Sequence, residues 1–215
     1  MCAAIKVDIL SDVVCPWCVI GFRRLEKAIA DRGMEKAVQF EWHPFELNPD
    51  MPPEGENLLV HMARKYGSVP EQGHRFRAEL AERGAELDFT FRFFDDMNIV
   101  NTRDAHILLD YAKGQGRQTE LQRRLFAAYF SEYKDIADRE VLKGELEQLD
   151  FNAGEALRVL RDDEIRQRIR GQEKFWVERG VSGVPTMIFN QAVVLNGAQP
   201  ASVYGDILDD FRGQF

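Results

Sequence analysis

The sequence predicts an α/β protein in which a long helical segment interrupts a small strand-and-helix domain. Three observations carry this. Strand, helix and strand patterns follow one another between Ile5 and Phe45. Two short β-branched, apolar runs precede a last helix at the other end. Between the two ends lie about 130 residues, far too many for a structureless loop in a compact protein, and their apolar positions recur at helical spacing.

Ile5, Val7 and Ile9 alternate with Lys6 and Asp8, which predicts a strand. The pattern stops at Cys15, and Pro16 follows, a residue favoured at the first helical position because its missing N–H would go unpaired there anyway. Cys18, Phe22, Leu25 and Ile29 then recur on one face of an amphipathic helix that ends near Gly33. Val38 to Phe45 is a second strand with Val38, Phe40 and Trp42 on one face, completing a βαβ unit. Helices are predicted over 58–66, 70–83, from Asn101 or Thr102 onward, and over 121–130, 139–149, 153–160 and 162–179. Phe89-Thr90-Phe91-Arg92-Phe93 alternates but is short, and reads as a strand or an extended connection. Pro185 to Phe189 and Ala192 to Leu195 predict a hairpin turning at Asn190-Gln191. Pro200 starts a final helix with Val203, Ile207 and Phe211 on one face. The expected domains are 1–50 with 175–215, and a helical insertion over 51–174.

Composition narrows the function. The chain has 215 residues, 45% hydrophobic and 30% charged, enough to bury a core and too apolar for intrinsic disorder. A net charge of -8 without any basic run repels phosphate backbones, so nucleic acid is not an expected partner. No apolar run approaches the roughly 18 residues of a membrane span, and Met1 to Leu10 lacks the basic cluster of a secretory signal. The expectation is a cytoplasmic protein, monomer or homodimer, whose thiols are kept reduced.

Against that background Cys15-Pro16-Trp17-Cys18 carries chemistry. Two intervening residues at a helix start let the sulfurs meet in a small disulfide ring. The helix dipole and the unpaired N–H groups of the first turn favour a thiolate at Cys15. Cys15 is expected to be the exposed thiol, with Cys18 on the buried face. A structural zinc site would need two more ligands, but no second cysteine pair exists and His43, His61, His74 and His106 lack ligand spacing. Cys2 reads as an incidental terminal thiol. Val184-Pro185 follows a glycine-rich loop and opens a strand, a place where proline is confined to edges, bulges or special backbone sites. Valine at 184 breaks the G-x-S-x-G pattern, so Ser182 is not a hydrolase nucleophile. Asn101 reads as a helix cap, His106 and His43 as satisfied histidines, and the phenylalanines from Phe89 to Phe94 as core.

Taken together, Asp12 to Cys18, Gly21, Leu25-Glu26, Phe45 to Pro49, Asn101-Thr102, Ala105-His106, Gly183 to Thr186 and Gly197 to Pro200 resemble the cytosolic FrnE-like branch of the DsbA family. The likeness runs over nearly the whole chain. It implies a thioredoxin-like fold with a large all-helical insertion, and dithiol–disulfide exchange with protein or small-molecule thiols and disulfides. It implies no bound organic cofactor and no metal, with glutathione as a possible co-substrate. It makes Cys15 the nucleophile and Cys18 the resolving thiol. It also makes Val184-Pro185 a cis peptide facing them, with Pro16 and Trp17 beside the substrate. Trp17 adds no positive charge, so the expected redox poise lies between about −270 and about −120 mV. Val19 stands where this branch often has Tyr, and Gln191 where its hairpin often has Gly. The same fold serves glutathione-dependent isomerases and transferases of the hydroxychromene carboxylate and kappa types. Those usually have Ser at the position of Cys15, and would make Asn101 and His106 ligand contacts. A peptide-binding holdase is a third reading.

Overall fold

The computed structural model of the protein describes residues 5–213. Along the chain run β1 (Ile5–Ser11), α1 (Pro16–Ala30) and β2 (Val38–Pro44). Then come β3 (Glu56–Asn57), α2 (Leu58–Tyr66), α3 (Pro70–Ala85), β4 (Asn98–Ile99), α4 (Arg103–Gly114), α5 (Gln118–Phe130), α6 (Arg139–Gln148) and α7 (Ala153–Val159). The chain closes with α8 (Asp163–Glu178), β5 (Thr186–Phe189), β6 (Val193–Asn196) and α9 (Ala201–Arg212). It divides into two compact units, Met1–Leu47 with Arg168–Phe215, and Asn48–Gln167.

The first unit is built on a four-stranded sheet of order β2-β1-β5-β6. β1 runs parallel to β2, with Val7 opposite Phe40 and Ile9 opposite Trp42. β1 runs antiparallel to β5, with Leu10 opposite Thr186, and β5 antiparallel to β6. Because strand side chains alternate between faces, Val7, Ile9, Phe40, Trp42, Met187 and Phe189 share one side. α1 covers this side through Phe22, whose ring meets Phe40 at 5.3 Å and Trp42 at 4.7 Å, both edge-on. α9 lies there too, with Tyr204 6.5 Å from Phe189. Leu10 and Ile188 face the other way, into a cluster with Val181, Phe45, Trp176 and Val184.

The predicted stripe of α9 holds at Phe211 and is shifted by one position before it. Tyr204, Leu208 and Phe211 are the buried set, while Val203 and Ile207 are half-buried. The apolar band is wide enough for either reading, and the Tyr204 hydroxyl decides it by accepting the N–H of Gln199 at 3.1 Å. The hairpin turn is tight. The N–H of Ala192 donates to Phe189 at 2.9 Å, with φ of 47° at Asn190 and 58° at Gln191. Positive φ at both central residues is the type I′ geometry that matches strand twist.

The second unit is helical apart from the short ladder of β3 with β4, for which the sequence carries no periodic signal. Asn57 caps α2, its Oδ1 accepting from Leu59 and Val60, while Asp138 caps α6 and Asn152 caps α7. Leu108, Leu121, Leu125, Phe126, Phe130, Leu142 and Leu146 form its buried interior. No strand forms over Phe89 to Phe93. Phe91 is buried against Phe130, as the core reading expects, and Phe89 and Phe93 are half-buried, but Phe94 is 41% exposed with its ring edge-on to Tyr133, so it is not core. No described helix is long and apolar enough to cross a membrane.

Candidate active site

Cys15 is the N-cap of α1, with φ −93° and ψ 110°, and Pro16 occupies the first turn. No side chain caps this end and no acidic residue sits in the first turn. The turn leading in is closed by the Cys15 N–H, which donates to the Asp12 carbonyl at 3.1 Å. The buried Asp12 carboxylate accepts the Leu47 N–H at 2.7 Å, fixing the segment after β2 against this turn. Glu46 donates its own N–H to Glu173 at 3.0 Å.

Both cysteines are free thiols. Cys18 is 1% exposed, as its place on the inner face of α1 predicts. Cys15 is only 3% exposed, which corrects the expectation of an open thiol. Its Sγ is turned toward the Val184 carbonyl oxygen, 3.8 Å away, so a segment distant in sequence covers what a bare helix start would leave open. Burial pushes the Cys18 thiol well above the ordinary thiol range, and the neighbouring Cys15 sulfur raises it further. The Ser11 side chain and the Asp12 backbone act in the other direction.

The Val184–Pro185 peptide is cis. The Pro185 ring lies against α1 at Gly21, where a Cβ would come within 3.2 Å of Pro185 Cγ and 3.4 Å of Ala198. Gly21 thus permits an approach that any side chain would obstruct. The loop from Gly197 to Pro200 is tied to the same place. Gly197 donates to the Pro185 carbonyl at 2.8 Å, and Arg24 to the carbonyls of Ala198 and Gln199. Cys15, Pro16, Trp17, Cys18, Val184 and Pro185 therefore belong to one cluster in the first unit, with Pro16 and Trp17 half-buried. Asn101 and His106 belong to the second unit. Asn101 Oδ1 accepts from Arg103 at 3.0 Å and its amide donates to Met51, so it shapes the start of α4 although Thr102 is the N-cap. His106 is buried on α4. Cys2 lies outside the described residues.

Among the described residues one group has metal-ligand potential, Asp8, Glu41 and His43. The Lys6 ammonium already sits 2.9 Å from Asp8 and 2.7 Å from Glu41, and His43 Nε2 is 2.8 Å from Asp8. These residues have the opposite strand parity to Ile9, on the side away from α1, and include neither cysteine.

Residues 6–209 match the DSBA-like thioredoxin domain family. The chain belongs to this family. Two proteins are similar to it over most of their length. A probable DsbA oxidoreductase, SCO1869 from Streptomyces coelicolor, is 29% identical, with a TM-score of 0.90 covering 98% of this chain and 91% of that one. The uncharacterized protein YwbO of Bacillus subtilis is 24% identical over 96% of each chain. Two more distant structures share the fold. A 2-hydroxychromene-2-carboxylate isomerase is 16% identical at a TM-score of 0.70, covering 97% of this chain and 95% of its own. The cytosolic disulfide reductase DsbM of Pseudomonas aeruginosa, solved with GSH, is 17% identical at 0.64, covering 96% and 99%. The thioredoxin-like fold with its helical insertion is thereby shown, in a DsbA-type oxidoreductase family.

Proposed function

We propose that the protein exchanges dithiols and disulfides through Cys15 and Cys18, acting on protein or small-molecule disulfides, with glutathione as a possible partner and without a bound organic cofactor or metal. The observation that carries this is the placement of two free thiols at the first turn of α1, one at the N-cap and one on the buried face. Cys15 as thiolate attacks a substrate disulfide and displaces one substrate thiolate, which takes up a proton. Cys18 then gives up its proton and attacks the Cys15 sulfur of the mixed disulfide. The second substrate thiol leaves and the Cys15–Cys18 disulfide remains; an external dithiol reverses the sequence.

The Val184 carbonyl beside Cys15 supports Val184 and Pro185 as substrate contacts, with Pro16 and Trp17 at the rim of the same cluster. An extended substrate backbone pairing there would use the logic of strand addition. Thiols at both 15 and 18 favour exchange over a glutathione-dependent isomerase, which has no use for a buried second sulfur. Asn101 and His106 are not needed by this reading. The reading places the protein in a reducing compartment such as the cytoplasm, where thiols rather than disulfides are maintained.

Insulin reduction under dithiothreitol or glutathione tests it. Turnover should vanish in Cys15→Ser, and Cys18→Ser should accumulate mixed disulfides. Full turnover in Cys15→Ser would refute exchange, and glutathione-dependent isomerisation in that variant would favour the isomerase. Suppression of aggregation that survives Cys15→Ser would reveal a holdase role beside it.

A further inference from the structure

Ile5, Val7, Ile9 and Ser11 occupy alternate positions of β1 and so share the face that α1 covers. The first three are apolar and at most 1% exposed. The fourth is a serine, yet it is just as enclosed, at 2%. Its Oγ is inaccessible and makes no hydrogen bond of normal geometry among the described residues. Burying a hydroxyl without a partner is unfavourable, and an apolar residue would continue the stripe better. The hydroxyl is placed by the strand end opposite the first turn of α1. Helical side chains lean back toward the helix N-terminus, so Cys18, from the inner face, is directed at this strand end. Among the causes acting on the Cys18 thiol, Ser11 is a side-chain group that favours its ionised form against burial and the Cys15 sulfur.

We propose that Ser11 is a positioning residue for Cys18: its hydroxyl turns to donate a hydrogen bond to the Cys18 sulfur as the thiolate forms, and so sets how fast Cys18 resolves the mixed disulfide on Cys15. The proposal rests on the dithiol reading above. A hydroxyl proton is free to rotate and needs no backbone movement to find the sulfur. Bonds to an ionised acceptor are about twice as strong as neutral ones, so the effect falls on the thiolate more than on the resting thiol. The groups that act on Cys18 come from three elements. They are Ser11 and the Asp12 backbone after β1, Cys15 at the start of α1, and Tyr204 on α9. Tyr204 is itself raised above its ordinary value, chiefly by burial. Ser11 cannot act as a base. The Cys18 proton goes to solvent or to the departing thiolate, and Ser11 only holds the anion left behind.

Stopped-flow reaction with dithiobis(nitrobenzoate), in a Cys2→Ala background, separates the two steps. Attack by Cys15 releases one thionitrobenzoate and leaves a mixed disulfide; attack by Cys18 on the Cys15 sulfur releases the second and forms the protein disulfide. Wild type should show both phases and Cys18→Ser only the first. In Ser11→Ala the first phase should be unchanged. The second should be about tenfold slower at pH 7, with its pH midpoint raised by about one unit. Ser11→Thr and Ser11→Val are alike in shape and differ in the hydroxyl. Thr should restore the fast second phase and Val should not, a contrast that remains informative if Ser11→Ala folds poorly. A second phase equal to wild type in Ser11→Ala, equal rates in Thr and Val, or equal slowing of both phases would overturn the role of Ser11. Loss of the second phase in the Cys2→Ala background itself would instead sink the dithiol reading.

Discussion

Raising the pH should cost the reduced protein stability through Cys18 in particular. In the folded state burial holds this thiol well above 9.0, the ordinary value it regains on unfolding. Below pH 9 both states keep the proton and the group is neutral toward stability. Above 9 the unfolded chain releases the proton while the folded protein retains it. Stability therefore falls as pH rises, until the folded thiol also ionises. Each unit that the folded value stands above the unfolded one is worth about 1.4 kcal/mol. Cys18 is 1% exposed, so solvent screening does not discount it. Between pH 8 and pH 10 the loss should approach about 1.4 kcal/mol, roughly three quarters of it above pH 9. The assay is urea unfolding in excess reductant at half-unit steps, with Cys18→Ala beside wild type. Tyr204 and Lys6 also have raised values and shed stability at high pH, but they do so in both proteins, so the difference isolates Cys18. A wild type minus Cys18→Ala difference that stays flat from pH 8 to 10 would refute the burial argument.

Phe22 is 1% exposed and holds α1 on β2 through two edge-on ring contacts, so Phe22→Ala should cost about 3–5 kcal/mol in chemical denaturation. A loss under about 2 kcal/mol would show that the ring is not a packed core residue. Glu145 keeps 2% of its side chain exposed and pairs with Arg124 and with Lys134, the latter at 2.6 Å. Glu145→Ala should cost about 3 kcal/mol, the low end for a broken buried pair because Glu132 still serves both cations. A loss under 1 kcal/mol, on the order of an exposed pair, would contradict its burial. Gln191 is held at φ 58°, where a side chain costs about 1–2 kcal/mol. Gln191→Gly should therefore raise stability by up to about 1 kcal/mol, the rest being offset by the greater freedom of glycine when unfolded; a lower melting temperature would refute the turn assignment. Asn190→Ala should lose about 2 kcal/mol, from the same strain and from the bond that Oδ1 accepts from Lys6, whereas Asn190→Gly should lose only the bond. Equal losses in the two would mean that conformation plays no part.

Much of this was legible because local patterns and tertiary demands agree. Ile5, Val7 and Ile9 alternate because one face of β1 is covered by α1. Phe22, Leu25 and Ile29 recur because that same cover is a helix. What escaped lacks a local signal. The cover over Cys15 comes from Val184, 169 positions away, and no helix-start rule anticipates it. β3 and β4 pair through two residues each, too few for any period. Ser11 is one polar residue at the end of a strand, and its meaning appears only when the helix facing it is known to carry Cys18. Tyr204 sits one position from Val203, and the apolar spacing of α9 does not distinguish their two faces.

The geometry at the cysteines depends on a register that is pinned at the far end of the sheet. Leu10 opposes Thr186, so the chain enters β5 from Pro185 at the same end where it leaves β1 for Cys15. A slip of two residues would preserve which side chains face α1, yet it would move Val184 along β1 by about 7 Å and strip Cys15 of its neighbour. Alternation of apolar residues cannot forbid such a slip, since it restores the same faces. Asn190 can. Its N–H donates to the Lys6 carbonyl at 2.8 Å, and its side chain accepts the Lys6 N–H at 2.8 Å, just past the last paired residue of β5. A two-residue slip breaks both bonds. The hairpin tip thus sets the spacing of the site at the opposite end of the same strand. The 3.8 Å between Cys15 and Val184 follows from pairing four residues long and needs no direct tether between the two motifs.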